Sequence, residues 1–480
     1  MTPEKRIAEL EAENAALRAQ VGEMTALREQ VALLSEQVQA LEARLAKDSH
    51  NSSKPPSSDG LARKTQSLRR TSGKKPGGQL GHRGQTLRLV AESDGVVEHR
   101  PAVCVGCQAP LDAEAPVVLR ERRQVQDLPP LRLQITEHQA LHVRCPACQA
   151  VSVGAFPAEA PSRAQYGPQL RALVVYLVEQ QLVPYARVQA LLRDLFGVDL
   201  AGGTLVMWVR AAATTLAPVE DAIKTALGRV PVLHSDETGV RHSGHLAWAH
   251  VASTARLTHY AIHPKRGSEA TDAIGILPTY TGVSVHDGWK PYQTHRQCRH
   301  ALCNIHHLRE LTFLEEQYHQ GWATALKRLL REMKAATDQA RRQGLLRLEP
   351  AVREAFVARY DALLAAGLAA NPPPERGPQR RGRRKQTPAR NLLERLLLGK
   401  EQVLAFLDDL TIPFDNNQAE RDLRMLKVQQ KVSGGFRADT GSAAFARIRG
   451  YLSTLSKQQM PLLTALAAVF VGKPLYPSFA

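Results

Sequence analysis

Apolar residues at alternating spacings of three and four open the chain. Ile7, Leu10, Asn14, Leu17, Val21 and Met24 form one stripe, and Leu27, Val31, Leu34, Val38, Leu41 and Leu45 continue it in a register shifted by three. Heptads sustained this long, with Glu and Arg on the flanks, predict a coiled coil over residues 1–47. Asn14 at a core position is a register-fixing polar residue. The alternative is a helix packed on the body of the same chain.

The pattern then changes. Residues 48–90 include Asn51-Ser-Ser-Lys-Pro-Pro-Ser-Ser-Asp59, whose paired prolines and small polar residues cannot hold a helix, so a flexible linker is expected. Short β-like runs such as 131–136 mark residues 91–160. Helical periodicity returns over 161–225, where 187–196, a Gly197-Val198 turn and 201–213 fit a helix-turn-helix or an ordinary helical hairpin. Residues 226–450 read as mixed α/β. Strands are expected at 230–235, 245–253, 257–263 and 282–286, with a helix at 268–276 before the last of them. A long helical stretch runs from about 296 to 370, helices resume at Asn391, and a helical tail fills 451–480. The fold class is α/β and multidomain.

Composition narrows the partners. Lys and Arg number 63 against 46 Asp and Glu, a net charge of +17, which points to a polyanion such as nucleic acid. Lys54, Arg63, Lys64, Arg69, Arg70, Lys74, Lys75, Arg83 and Arg88 face only Asp59 between residues 50 and 90. A second basic, proline-rich break carries Arg376, Arg380, Arg381, Arg383, Arg384, Lys385 and Arg390 without an acid between its ends. Each break fits a solvated loop or an arm lying along phosphates. The DNA-binding reading takes Lys54, Arg63, Lys64, Arg69, Arg70, Lys74, Lys75, Arg83, Arg383, Arg384 and Lys385. No apolar run reaches the roughly 18 residues of a membrane span, and the N-terminus lacks an apolar signal core, so no membrane and a cytoplasmic location are expected.

Six cysteines in a long, unexported chain argue against a disulfide framework. Cys104-Val-Gly-Cys107 and Cys145-Pro-Ala-Cys148 supply the four thiolates that close a tetrahedral structural zinc site. The interval between the two knuckles is long for a zinc finger, so a small β insertion is expected there. Four reduced, unliganded thiols are the alternative.

Three carboxylates carry the candidate chemistry. Asp236 follows the first strand in His234-Ser-Asp-Glu-Thr-Gly239, and Asp287 follows the fourth in Val285-His-Asp-Gly-Trp289. If those strands are parallel neighbours, both side chains emerge at one sheet edge. Glu420, in Asp415-Asn-Asn-Gln-Ala-Glu-Arg421, opens a helix that could dock beside them. Such a set would hold two hard cations bridging a scissile phosphate. The alternatives are turn residues for the aspartates and a capping arrangement for the glutamate. Glu237, Asp408, Asp409 and Asp422 compete, and spacing alone does not choose. Cys303-Asn-Ile-His306, near His300 and His307, places a Cys and a His on one helical face. Core packing is the preferred reading there, with His306 able to reach the scissile region.

These motifs resemble the large transposase of the insertion-sequence sixty-six (IS-sixty-six) family, a bacterial DDE transposase. The resemblance covers nearly the whole chain. It rests on Asn51 to Asp59, Gly77-Gly-Gln-Leu-Gly-His-Arg-Gly84, the paired Cys knuckles, Asp236-Glu-Thr-Gly239, Asp287-Gly-Trp-Lys-Pro-Tyr292 and Cys303-Asn-Ile-His306. The most specific stretch is Ile412 to Arg421, running on through Lys431-Val-Ser-Gly-Gly-Phe-Arg437. The resemblance implies an RNase H-like core with a helical insertion at about 318–400. It implies Asp236, Asp287 and Glu420 as catalytic ligands of two Mg²⁺ or Mn²⁺ ions, with His306 matching a Cys-x-x-His signature. Asn304 stands where the family often has a bulky aromatic. The implied activity is cleavage of insertion-sequence ends and joining of the 3′-hydroxyl to target DNA, by a nucleoid-associated homo-oligomer that takes accessory proteins of the same element. A catalytically silent DNA-binding protein, a repressor or domesticated transposase, is the alternative; a zinc-dependent hydrolase is a weak third, since four thiolates leave no open position for water.

Overall fold

The computed structural model describes residues 3–52, 59, 77–79, 81–84, 86–373 and 386–479. Of the basic residues assigned to DNA, Arg83 is described and exposed; Lys54, Arg63, Lys64, Arg69, Arg70, Lys74, Lys75, Arg383, Arg384 and Lys385 lie outside the described residues.

The heptad segment is one helix, α1 (Pro3–Leu45). Its apolar stripe is exposed along its length, from 42% at Leu10 to 80% at Leu45. The cysteine-bearing segment holds a small antiparallel hairpin, β1 (His142–Arg144) and β2 (Val151–Val153), around the second knuckle. Two expectations fail here. Residues 131–136 form no strand, and residues 108–141 hold no β insertion beyond an isolated bridge between Val103 and Pro110. Apolar composition gives β propensity, but a strand needs a partner to pair with, and none lies alongside.

Four helices follow. α2 (Pro168–Val175) runs into a π-helical turn, and α3 (Tyr185–Phe196) ends at Gly197, whose φ of 66° supplies the left-handed cap. α4 (Gly202–Thr215) and α5 (Ala217–Leu227) complete the group. Leu170, Val174, Val188, Leu192, Leu205 and Trp208 close the core of the first three.

The central sheet then forms. β3 (Val232–His242), β4 (His245–Ser253) and β5 (Thr258–His263) make an antiparallel meander. After α6 (Ser268–Ile274), β6 (Val283–His286) pairs parallel to β3, and β7 (Arg299–Leu302) pairs parallel to β6. The strand order is β5-β4-β3-β6-β7. β7 occupies a position where continuous helix was expected: its four residues, Arg-His-Ala-Leu, are too few to show a period of two.

Helices α7 (Asn304–Tyr318), α8 (Gly321–Arg342), α9 (Pro350–Ala370), α10 (Pro388–Leu398) and α11 (Lys400–Asp408) pack into one core with Val283, Val285 and Ala301 of the sheet. α12 (Asn417–Ser433) and α13 (Asp439–Lys457) then return to the meander, where Ala419, Leu423, Leu426 and Phe445 meet Val240, Ala249, Val251 and Tyr260. Gly450 permits the close approach: a Cβ there would lie 3.2 Å from the Thr258 carbonyl oxygen. α13 runs through residue 450, where a domain boundary was expected, and α14 (Leu462–Phe470) packs beside α2, so the tail belongs to the body. Among the described residues no helix is long and apolar enough to cross a membrane.

The base of α1 is not free. Ala43 is buried in the core that contains α7, and Lys47 sits over the Phe313 ring, 4.8 Å from its centre. Asp48 Oδ1 accepts the backbone N–H groups of His50 (2.8 Å) and Asn51 (3.2 Å). The Asn51 amide donates to Glu316 Oε2 (3.3 Å), while His50 Nε2 lies 3.3 Å from Glu316 Oε1. Residues 48–52, expected to open the linker, are thus shaped by local Asx turns and held against α7.

Candidate active site

Alternation along β3 decides which acids can meet. Successive strand residues point to opposite faces. His234 and Asp236 face the start of α12, whereas Leu233, Ser235 and Glu237 point the other way. β3 continues to His242, so Asp236 sits within a strand and not on the turn after one; its partner β4 holds it in ladder opposite Val251. The polar run His-Ser-Asp-Glu-Thr hid that extension. The parallel register pairs His234 with Val285. Continued by two residues, it sets Asp236 beside Asp287, which follows the end of β6, on neighbouring strands about 4.8 Å apart.

Glu420 reaches the same place from the first turn of α12. A tether fixes it there. Asn416, 1% exposed, accepts from His234 Nδ1 (2.9 Å) and donates its amide to the Ser235 carbonyl (2.8 Å). Its backbone N–H donates to Cys303 Sγ (3.2 Å). The capping alternative for this segment thereby loses its main acceptor, because the Asn416 side-chain oxygen is turned to His234 and caps nothing on α12. Asp415 instead accepts the Asn417 N–H (3.1 Å).

Electrostatics register the convergence. Burial pushes the Asp236 carboxyl well above the ordinary range, and the charges of Glu237, Asp287 and Glu420 push the same way; the Glu237 N–H bonded to Oδ1 at 2.9 Å opposes them. Glu420 Oε1 is buried without a hydrogen-bond partner. His306 Nε2 lies 4.0 Å from that oxygen, and burial pulls the imidazole below its usual value despite the nearby glutamate. Asp287 Oδ1 accepts the Trp289 N–H (2.9 Å). A carboxyl resisting ionisation beside two others, with a buried oxygen unpartnered, is a site suited to added positive charge.

The competing acids are otherwise engaged. Glu237 pairs with Arg266 (2.8 Å) and accepts from the Tyr292 hydroxyl on the opposite face. Asp408 pairs with Arg353, Asp409 accepts from Thr411, and Asp422 pairs with Lys457 at 2.8 Å. The neighbouring histidines are structural. His307 is buried and bonded to Asn304 (3.1 Å), and burial brings it down to about 3. His300 lies on β7 and bonds His286 Nε2 (3.1 Å). Cys303 opens α7 from a buried position, where burial pushes its thiol up to about 12. Asn304, in place of an aromatic, donates to the Val403 carbonyl (2.9 Å) and locks α7 to α11. The residues sequence reasoning missed are His234 and Asn416. The bond joining them spans 182 positions and leaves no local signal.

The zinc-candidate cysteines form two similar turns. The Gln108 and Gln149 N–H groups donate to the Cys104 (3.0 Å) and Cys145 (2.9 Å) carbonyls, with φ of 59° and 62° at the two glutamines. Backbone N–H groups of Cys107 and Gly106 lower the Cys104 thiol, and those of Cys148 and Ala147 lower Cys145. Each knuckle thus favours thiolate, as a metal ligand must be. The structure pairs these sulfurs knuckle by knuckle; among the described residues, the group of three or more metal-binding donors within 4.8 Å of one another is Cys303, His306 and Glu420. In the helix-turn-helix candidate, α4 buries Leu205, Trp208, Val209, Ala212 and Ala213, and its exposed Arg210 bonds Thr440 (3.2 Å).

A family model described as Transposase IS66 family matches residues 163–444, more than half of the chain and all of the sheet and its carboxylates. A second, described as a family of unknown function (DUF6444), matches residues 2–88. No curated protein matches the chain.

Proposed function

The chain belongs to the Transposase IS66 family, which gives it a transposition-related function, and from that premise we propose that it is a DDE-type transposase acting on DNA. The observation that supports this reading is that the charges of Asp287 and Glu420 both act on the buried Asp236 carboxyl, beside the parallel pairing of β3 and β6. The strand order β5-β4-β3-β6-β7, antiparallel on one side of β3 and parallel on the other, supports an RNase H-like core with α8 to α10 as its helical insertion.

Asp236, Asp287 and Glu420 fit two Mg²⁺ or Mn²⁺ ions: all are hard oxygen donors, and the raised Asp236 carboxyl ionises readily once positive charge stands beside it. Such ions supply activation of a water or 3′-hydroxyl and stabilisation of the leaving oxygen. The chain's own part is placement. β3 and β6 fix the two aspartates, Asn416 fixes α12 and with it Glu420, and His306 stands by the glutamate as a polar partner for the scissile region. The paired knuckles would hold a structural Zn²⁺ in the end-binding module. The exposed stripe of α1 would pair protomers, so that two transposon ends are brought together, and the basic arm and helices α3 and α4 would contact DNA. Accessory proteins of the same element would complete the assembly.

The test is strand cleavage of DNA carrying the element's ends, with Mg²⁺, by the native chain and by Asp287→Ala. Cleavage by the native chain alone is the expected result. Equal cleavage by both proteins would remove Asp287 from the site, and binding without cleavage by either, with accessory proteins present, would favour a silent DNA-binding protein.

A further inference from the structure

The donor set beside the three carboxylates is mixed in a way that hard-cation chemistry does not need. Cys303 Sγ, a nitrogen of His306 and a carboxylate oxygen of Glu420 all lie within 4.8 Å of one another. Two of the three residues carry a buried atom without a hydrogen-bond partner, His306 Nδ1 and Glu420 Oε1. At 4.0 Å, His306 Nε2 and Glu420 Oε1 are too far apart to bond directly. A single ion about 2.0–2.2 Å from nitrogen and oxygen and about 2.3 Å from sulfur would bridge the three once they close from within 4.8 Å to roughly 3.5 Å of one another, a movement of about an ångström.

The frame is rigid. Cys303 and His306 sit in the opening turn of α7, where Asn304 donates its amide to the Val403 carbonyl (2.9 Å) and its backbone N–H to the Phe414 carbonyl (3.0 Å). Glu420 sits in the opening turn of α12, tethered through Asn416 to β3 and to Cys303 itself. Thiolate and imidazole select Zn²⁺, Cd²⁺ or Co²⁺ over Mg²⁺, which takes oxygen ligands. We propose that Cys303, His306 and Glu420 form a binding site for a borderline-soft transition-metal ion of the zinc type, which takes Glu420 away from the hard cations and so holds the enzyme inactive. The three protein donors leave a fourth position for water, and the Cys303 thiol proton leaves to solvent on binding. The inhibitory part rests on the transposase reading; the binding part does not.

Cd²⁺ alone is the probe, titrated into the full-length chain and into Cys303→Ser, with the thiolate-to-metal ultraviolet band and the number of bound ions as readouts. The four knuckle thiols contribute equally to both proteins. The native chain is expected to bind one ion more than Cys303→Ser, with the additional band. Identical bands and ion counts would overturn the site. If Cys303→Ser loses its native circular dichroism, His306→Gln, which keeps the thiol, takes its place. Its affinity for the additional ion should fall at least 10-fold, the lower end of what even an outer-shell loss costs, and an unchanged affinity would be equally fatal. In parallel, Zn²⁺ added to a Mg²⁺ cleavage reaction should inhibit the native chain at concentrations that spare Cys303→Ser, each measured against its own rate in Mg²⁺ alone; equal inhibition would remove the regulatory role. A native chain that binds the extra ion yet never cleaves end DNA would sink the transposase reading and leave the site standing. A missing ion with intact cleavage would sink the site alone.

Discussion

Asn416→Ala tests the geometry of the site most directly. The substitution removes the acceptor of His234 Nδ1 and the donor to the Ser235 carbonyl, both in a position 1% exposed to solvent. Each partner left unsatisfied costs about 1–3 kcal/mol, so the two together should cost roughly 2–6 kcal/mol. In a catalytic unit of this size that lowers the melting temperature by at least about 4 °C. The chemical effect should exceed the thermal one. Glu420 stands four residues beyond the tether, and a displacement near 1 Å costs on the order of 100-fold in rate. Thermal unfolding followed by circular dichroism gives the first quantity, and single-turnover cleavage below the new melting temperature gives the second. A melting temperature within about 1 °C of native, with cleavage within about twofold, would refute the claim that Asn416 sets the position of α12 against β3.

Further outcomes follow from the same structure. Glu420→Gln should abolish cleavage and leave binding to end DNA largely intact; parallel loss of both in a gel-shift and cleavage pair would contradict the separation of roles. Removing zinc from the knuckles by chelation should weaken end binding or unfold residues 91–160, and unchanged binding and melting after verified removal would refute a structural ion there. Glu179, buried in the π-helical turn with Oε2 unbonded, is pushed up to about 8 by burial, against the pull of Arg449. The folded protein keeps that proton while the unfolded chain has lost it, so stability should fall as pH rises from about 4.5 towards 8. Glu179→Gln should flatten this slope in denaturant titrations, and a slope identical to native would exclude Glu179 as its source.

Much of this architecture is visible in local pattern. The strands at β4 and β5 and the helix at α6 announce themselves by alternation and by flanking turn residues, and α3, Gly197 and α4 by their cap. Asp287 is found because a short apolar run ends just before it. What escapes is whatever depends on a distant partner. β3 runs on through polar residues because β4 pairs with it as far as His242, and β7 exists because β6 offers an edge. Residues 131–136 err the other way, with strand composition and no neighbour. The choice of Glu420 over Glu237, Asp408 and Asp422 is likewise non-local: each of these rivals is paired with a cation far along the chain, and only the fold reveals it.

The anchoring of Asn51 and His50 on Glu316 gives α1 a definite phase as well as a definite origin. Forty-three residues of helix reach about 65 Å, and each residue turns the helix by about 100°. The direction in which the apolar stripe faces is therefore set at the base, several tens of ångströms from where a second copy would meet it. One residue inserted between Leu41 and the core-anchored Ala43 would leave the heptads up to Leu41 intact and still swing the pairing face through more than a quarter turn. If α1 pairs two copies as proposed, their bodies would then stand at a different mutual angle, and the few residues at this joint would act as the protractor of that pairing.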